Sequence, residues 1–474
     1  MRSARKGLVG LLVVAFLTVS GCGSGGEDTT DAKDGKGGRS AASEPAGEPE
    51  LKAHEAPVKF AAKPAGDQIV QYGPWLNSAL VGRYLFTRTV EDVQVTDVAT
   101  GQPTGPALRP ENPVGRVYRG VFAQERDRKD DLAPFALERA DGPPLVLVAY
   151  HVSKEGRGTT ASQELIELLV LDSGTGKQRS RLEIPLVADA YRDTPRGRST
   201  AVRVVGAQDG TVAVSLRVHE RRSISSNSAR ETIGIDLSDP DRPKTLWKKA
   251  GFEAYTVAGG NAVGAESDAG GQYKVLTAVS MKGGETVWQD RTHERTAHMN
   301  PELQAQWTTP AGPDRIITTK VTRSGLIGST GQLLLVDAAT GKQRPLSDKK
   351  RPVHCRYDGT SVVVCGPHPG VSRAPKEVFA LDASSGKVLW ELPDSAAGRI
   401  APDVTAVRDG RVYAETSSGP VILDARSGQD VELDPGIAPV VVNEYAGLAA
   451  RSWGSGSGKA SDQGWDLSLH HAIG

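Results

Sequence analysis

An apolar run, an aspartate and a turn closed by Thr-Gly or Ser-Gly recur along this chain, and that recurrence limits what it can fold into more than any other feature. "VFALDASSGKVLWEL" (378–392) has close relatives at 93–105, 168–182, 333–346 and 421–433, and worn copies at 233–247 and 276–288. Each apolar run is β-favouring. The aspartate that follows it (Asp97, Asp172, Asp236, Asp337, Asp382, Asp424) can accept hydrogen bonds from amides two or three residues on, while glycine supplies the positive φ that closes a hairpin. Those aspartates are read as turn formers.

Ahead of several copies lies a second hairpin signal, Asp-Gly between alternating apolar residues, as in "VVGAQDGTVAVSL", "CRYDGTSVVVC" and "AVRDGRVYAET". Each unit therefore reads as four antiparallel strands, which is a propeller blade. The steps 382−337 = 45 and 424−382 = 42 are blade-sized, whereas 172−97 = 75 and 236−172 = 64 require insertions. "AQERDRKDDLAPFALERADGPP" and "HVSKEGRGTTASQE" are expected to supply them as loops at one end of the ring. Seven hairpins plus the strands readable in "PVVVNEYAGLAARSW" and "GWDLSLHHAIG" predict an all-β propeller of eight blades, with seven as the alternative. "APVKFAAKP", just ahead of the first blade, is expected to contribute the strand that closes the ring.

The amino terminus, "MRSARKGLVGLLVVAFLTVSGC", has Arg2, Arg5 and Lys6 ahead of an apolar run from Gly7 to Val19, the layout of an export signal. "VSGC" resembles the lipobox of bacterial lipoproteins, which implies a signal peptide over 1–21 and a diacylated Cys22. Residues 22–68 are rich in Gly, Ser, Ala, Pro and mixed charge and read as a flexible tether, leaving 69–474 as the propeller domain. The expected location is the extracytoplasmic face of the cell membrane.

Lys+Arg 57 against Asp+Glu 57 leaves no net charge, so the electrostatic footprint of a nucleic-acid binder is missing. With Cys22 taken by lipid, Cys355 and Cys365 remain, flanking one hairpin, and in an exported protein a disulfide is expected, the alternative being two separately buried thiols. A two-residue Asp358-Gly359 turn would put the two cysteines on opposite faces, so a bulge or longer loop is needed.

"ALDASSGKVLW" (380–390) resembles the tryptophan-docking motif of propellers related to quinoprotein alcohol dehydrogenases, the PQQ-like repeats, with Asp382 and Gly386 shaping the turn and Trp390 stacking on the neighbouring blade. Trp247 and Trp288 match in part. Independently of the resemblance, a large flat residue at the end of an outer strand gains most by covering the next sheet. The family's enzymes hold a quinone over adjacent cysteines, and this chain has no Cys-Cys dipeptide, so no cofactor is expected. The family also contains cofactor-free, lipid-anchored scaffolds and extracellular sensor domains. A fold alone does not carry an activity.

Other motifs fail on spacing. His293 and His298 in "HERTAH" are five apart rather than four, "GSGSGKAS" has Ala460 where a magnesium-binding hydroxyl belongs, and Ser384-x-x-Lys387 falls inside a repeat turn. His470 and His471 read as solvated or core histidines, with a metal site as the sharper alternative. The expected function is a non-enzymatic, monomeric binding or scaffold module for an envelope protein, peptide or glycan; the alternative is a quinoprotein-like dehydrogenase or another enzyme whose site is assembled across blades.

Overall fold

The middle strands of each unit carry apolar residues on both faces, as in "LVLVAY" (145–150) and "LIELLVL" (165–171), all buried, the polar Glu167 included. Such a sheet cannot be half solvated; it must be covered on both sides. In the computed structural model, which describes residues 51–72, 77–114, 133–186, 199–219, 230–267, 274–290, 308–324, 328–346, 353–367, 376–453 and 464–474, the cover is the next copy of the same sheet. The expected signal peptide, Cys22 and the expected tether up to residue 50 lie outside the described residues, as do "HERTAH" and "GSGSGKAS".

Eight antiparallel sheets follow in chain order. Their first strands are Ser78–Val81, Phe135–Leu137, Ser199–Gln208, Phe252–Ala258, Thr309–Pro310, Val353–Tyr357, Asp403–Arg408 and Val441–Val442. Each first strand touches the first strand of the next sheet, and the last touches the first, so the ring of eight blades is closed. The buried apolar side chains of the described residues divide into eight clusters, and each lies between two neighbouring blades. No blade has a core of its own.

Three expectations from the sequence are corrected. The closing strand is Ile69–Tyr72, which pairs antiparallel with Gly464–His471 from Ile69 opposite Leu467 to Tyr72 opposite Gly464, so that chain start and chain end share blade 8. "APVKFAAKP" does not form it. Instead Phe60 is wedged between blades 7 and 8 against Ala406, Tyr413 and Ile422, while the Tyr413 hydroxyl donates to the Pro57 carbonyl at 2.9 Å. Residues 51–68 therefore pack on the ring, with further backbone bonds from His54 to Glu444 and from Ala65 to Leu469. Composition concealed this because the segment buries one large side chain, Phe60, adds only scattered contacts from Leu51, Val58 and Ala65, and is otherwise tied through its backbone.

The second correction concerns the insertions. "AQERDRKDDLAPFALERADGPP" contains the first strand of blade 2, Phe135–Leu137, and "HVSKEGRGTTASQE" lengthens a hairpin whose two strands, Leu145–Lys154 and Gln163–Asp172, stay in register to Lys154 opposite Gln163. Third, blade 1 has three strands; its fourth is reduced to isolated bridges from Val93 to Leu108 and Thr96 to Pro103.

The Cys355–Cys365 disulfide is present, and the two residues are direct cross-strand partners. The longer loop that this register requires is organised by Asp358, whose carboxylate accepts the amides of Thr360, Ser361 and Val362 at 2.9, 2.8 and 2.9 Å. If the segment before Ile69 were only a tether, Phe60→Ala would be silent. Because the ring is 3% exposed, the substitution is expected to cost about 3 kcal/mol, read as a lower urea midpoint.

Candidate functional site

The two turns of each blade open on the same mouth and are tied together: Leu237 N–H donates to Gly210 O, Ala383 N–H to Ser361 O and Ala425 N–H to Gly410 O, each at 2.8 Å. Within the repeat turn the aspartate carboxylate takes amides, as its spacing dictates. Asp97 accepts Ala99 N–H at 2.7 Å, Asp172 accepts Gly174 and Thr175 N–H at 2.9 Å, and Asp236 accepts Ser238 N–H at 2.9 Å. Asp337, Asp382 and Asp424 accept Thr340, Ser385 and Ser427 N–H at 2.8 Å each, together with the hydroxyls of the same residues. These six carboxylates sit on six different blades and converge on no common point.

The turn glycine has a second duty. Gly428 lies at φ +69°, and a Cβ there would stand 2.7 Å from the ring of Trp390 in blade 6; Gly341 and Trp288 repeat this at 2.7 Å, as do Gly284 and Trp247. Each indole N–H reaches the residue after the turn's first position, Trp247 to Met281 O, Trp288 to Ala338 O and Trp390 to Ala425 O, at 2.8, 2.9 and 2.8 Å. Trp247 and Trp288 thus dock as Trp390 does, although their motifs are worn. At other copies no tryptophan is docked: Gly386 faces Leu346 and Arg344 of blade 5, and Gly176 faces Val95 and Tyr84 of blade 1.

Nearer the ring centre, polar side chains of one blade cap carbonyls of the next. Arg203 donates to Ala254 O at 3.2 Å, Thr309 to Cys355 O at 2.8 Å, Arg356 to Thr405 O at 2.6 Å, Arg408 to Val442 O at 3.0 Å and Asn443 to Gly82 O at 2.7 Å. First strands have a bare inner edge, and these donors satisfy part of it. Between blades 3 and 4 the seam is charged: Glu253 pairs with Arg217 at 3.3 Å and Arg230 at 2.9 Å, all nearly buried. Burial pushes the nearby Tyr255 hydroxyl well above the usual tyrosine range. Between blades 1 and 2 the Arg88 guanidinium lies 4.6 Å over the Tyr150 ring and donates to Ala149 O at 2.7 Å; its burial lowers its own pKa and the phenol's rises.

His470 and His471 belong to the closure. His470 bonds Ala61 O at 2.7 Å and Ser468 Oγ at 2.9 Å, and His471 bonds Val98 O at 2.7 Å. Neither is turned toward a second histidine or a carboxylate cluster, and among the described residues no three His, Cys, Asp or Glu side chains gather as a metal-sized group.

Open concave surface is found instead between outer strands. One groove of about 380 Å³ lies at the blade 6–7 boundary, with Leu392, Ile400, Pro420, Leu433, Arg399 and Asp430 in its walls. Another, of about 320 Å³, lies at the blade 4–5 boundary and is lined by Trp288, Gln289, Asp290, Thr340, Gly341 and Gln343. Sequence reading found Trp288 and the Thr340-Gly341 turn and missed Gln289, Asp290 and Gln343. Asp290 and Gln343 lie 53 positions apart and share no linear motif.

Two predictions follow from the turn. Gly428→Ala is expected to cost roughly 1–3 kcal/mol more than Gly410→Ala, which shares the positive φ but has open space where the Cβ would stand; equal urea midpoints would remove the docking contact from the account. The Asp382 carboxyl is held below the usual aspartate range by the Ser384 hydroxyl and the Ser385 amide and hydroxyl, against desolvation and with Arg426 adding to it. A carboxyl depressed in the folded state stabilises above its unfolded pKa of about 3.9, and that contribution is lost as pH falls from there toward the folded value. Asp382→Asn should therefore be less stable at neutral pH and show a shallower fall in urea midpoint below about pH 4.

Residues 272–435, less than half of the chain, match the family model described as outer membrane protein assembly factor BamB. No curated protein matches the sequence significantly. Among solved structures, the β-propeller domain of the Trilobed protease from Pyrococcus furiosus aligns at 11% identity over 64% of this chain and 87% of that one, TM-score 0.35. Porphyromonas gingivalis dipeptidyl peptidase 4 aligns at 10% identity over 81% and 63%, TM-score 0.40. TolB from Acinetobacter baumannii aligns at 11% over 68% and 79%, TM-score 0.26. Likeness at this level carries nothing about activity.

Proposed function

Because the chain is a β-propeller of PQQ-like repeats, we propose that it is a non-enzymatic binding or scaffold module, held at the extracytoplasmic face of the cell membrane by a lipid on Cys22 and serving an envelope protein, peptide or glycan. The observation that carries this reading is where the repeat's polar and aromatic residues are spent. Asp337, Asp382 and Asp424 hold their own turns, Trp247, Trp288 and Trp390 hold the next blade, and Arg356 and Arg408 hold neighbouring first strands. The matched family's description names an assembly factor, and the same kind of work is assigned here by proposal. A rigid ring with clefts at its blade boundaries is suited to holding another molecule in place.

The expected results are concrete. Cys22→Ser should move the protein from the membrane fraction to the soluble extracytoplasmic fraction; equal fractionation of both forms would reject the anchor. Purified protein mixed with pyrroloquinoline quinone and calcium should form no tight complex and oxidise no alcohol in a dye-linked assay. Turnover there would overturn the module in favour of a quinoprotein-like dehydrogenase.

A further inference from the structure

Blade 8 is closed twice over. At its inner side Asn443 Nδ2 donates to Gly82 O at 2.7 Å, His471 bonds Val98 O at 2.7 Å, and Leu80, Leu85 and Val98 pack against Leu448, Leu467 and Leu469. None of these residues belongs to the stretch from Leu51 to Tyr72. That stretch lies along the outer edge of Gly464–His471 and the residues after it, from Ile69 opposite Leu467 to Phe60 opposite Ala472. Without it blade 8 would keep three strands, and blade 1 already stands in the ring with three. The outer closure is therefore separable from the inner one.

The way this stretch is held defines what could take its place. Its amides donate to carbonyls of blades 7 and 8 and of the carboxyl-terminal residues: His54 to Glu444 at 2.7 Å, Val58 to Gly474 at 2.7 Å, Phe60 to Pro435 at 2.9 Å, Ala61 to His471 at 2.9 Å and Ala65 to Leu469 at 2.7 Å. In return the Tyr413 hydroxyl donates to Pro57 O and Ile473 N–H to Lys59 O, both at 2.9 Å. Such bonds read backbone, so an extended chain of another sequence can make them. The apolar anchor is Phe60, set among Ala406, Tyr413, Ile422, Val442 and Ala472, with Gly447 so near that a Cβ there would stand 2.8 Å from the ring. Leu51, Val58, Ala65 and Ile69 are only partly buried, and Val70 is exposed. Few buried apolar contacts and many backbone bonds near the surface are the marks of a unit with low local stability.

We propose that residues 51–72 are a latch that undocks as one unit while the ring stays closed, and that the seat it leaves takes an extended segment of the partner with an aromatic side chain in the Phe60 pocket. The latch goes beyond the binding-module reading; the partner segment deepens that reading and rests on it. The occupant is specified by the one already seated there, an extended chain with a single aromatic anchor.

Native-state hydrogen exchange tests the latch. The amides of Val58, Phe60, Ala61 and Ala65 should exchange together at a urea concentration where those of Leu145–Lys154 stay protected. Exchange of all of them only with the whole ring overturns the proposal. The seat is tested by adding the labelled peptide LKAHEAPVKFAAKPAGDQIVQY, residues 51–72, to the full-length protein. Binding should saturate, and its rate should level off with peptide concentration at the opening rate of the latch. The same peptide carrying Phe60→Ala should bind more than about tenfold more weakly, its anchor being gone. In a Cys22→Ser chain, Lys59→Cys joined to Ile473→Cys by a short thiol cross-linker should block binding, since the two residues face each other and both are exposed. No saturable binding, equal binding of the two peptides, or binding undiminished by the cross-link overturns the proposal. Exchange and the two peptides use the unaltered ring, so they decide the matter even where the cross-linked variant fails to fold. Capture from envelope extracts separates the seat from the module: a partner held equally by the wild-type and cross-linked forms rejects the seat and keeps the module, whereas repeated absence of any partner counts against the module while exchange and titration still decide the latch.

Discussion

Burial between blades is the constraint on which the rest depends. Strands such as Leu145–Lys154 and Val362–Pro367 are apolar on both faces, so each sheet needs a neighbour on each side, and a linear stack would leave two ends uncovered. Closing the stack into a ring removes both ends. It also explains why the closure draws on so much of the chain: Ile69–Tyr72 completes blade 8 from the other end of the sequence, Phe60 fills the blade 7–8 boundary, and His470 and His471 fasten the last strand to Ala61 and Val98.

The repeat letters serve that same boundary. A glycine in the turn is needed for positive φ, but Gly341 and Gly428 are also the floor on which a tryptophan of the preceding blade lies, so one residue answers to two elements at once. Because the contact is between successive blades, a copy can lose its aspartate and still dock: blade 4 carries Ser280 where others carry aspartate, yet Trp247 reaches Met281 O across the boundary. Worn motifs and intact geometry are therefore compatible.

Function in such a ring arises from departures from the repeat rather than from the repeat itself. The residues shared by several copies are engaged in turns and docking, and what differs between copies is the content of the clefts beside them. The wall of the blade 6–7 groove carries the Arg399–Asp430 ion pair, with Arg399 also on the Gly428 carbonyl, whereas the wall of the blade 4–5 groove carries Asp290 and Gln343. The charged seam of Arg217, Arg230 and Glu253 is another departure, set at a boundary that also carries the apolar side chains of Trp247, Phe252 and Ala254.

How much of this was legible differs by residue. Asp382, Gly386 and Trp390 could be read because turn formation is local chemistry written in five or six consecutive letters. The disulfide was expected from two nearby cysteines in a chain read as exported, and the need for a bulge or longer loop followed from their index sum. Phe60, Asp290 and Gln343 could not be read, since each acts across a boundary on a residue remote in sequence and no local pattern marks which residues will meet. The amino-acid sequence by itself determined the unit: alternation, turn chemistry and spacing are short-range properties, and they specify a four-stranded sheet with two sticky faces. Only the tertiary structure decided how many such sheets close the ring, which segment supplies the last strand, and which clefts remain open, because closure and cleft filling are settled by packing between elements tens to hundreds of residues apart, where shape and burial rather than local propensity select the partner.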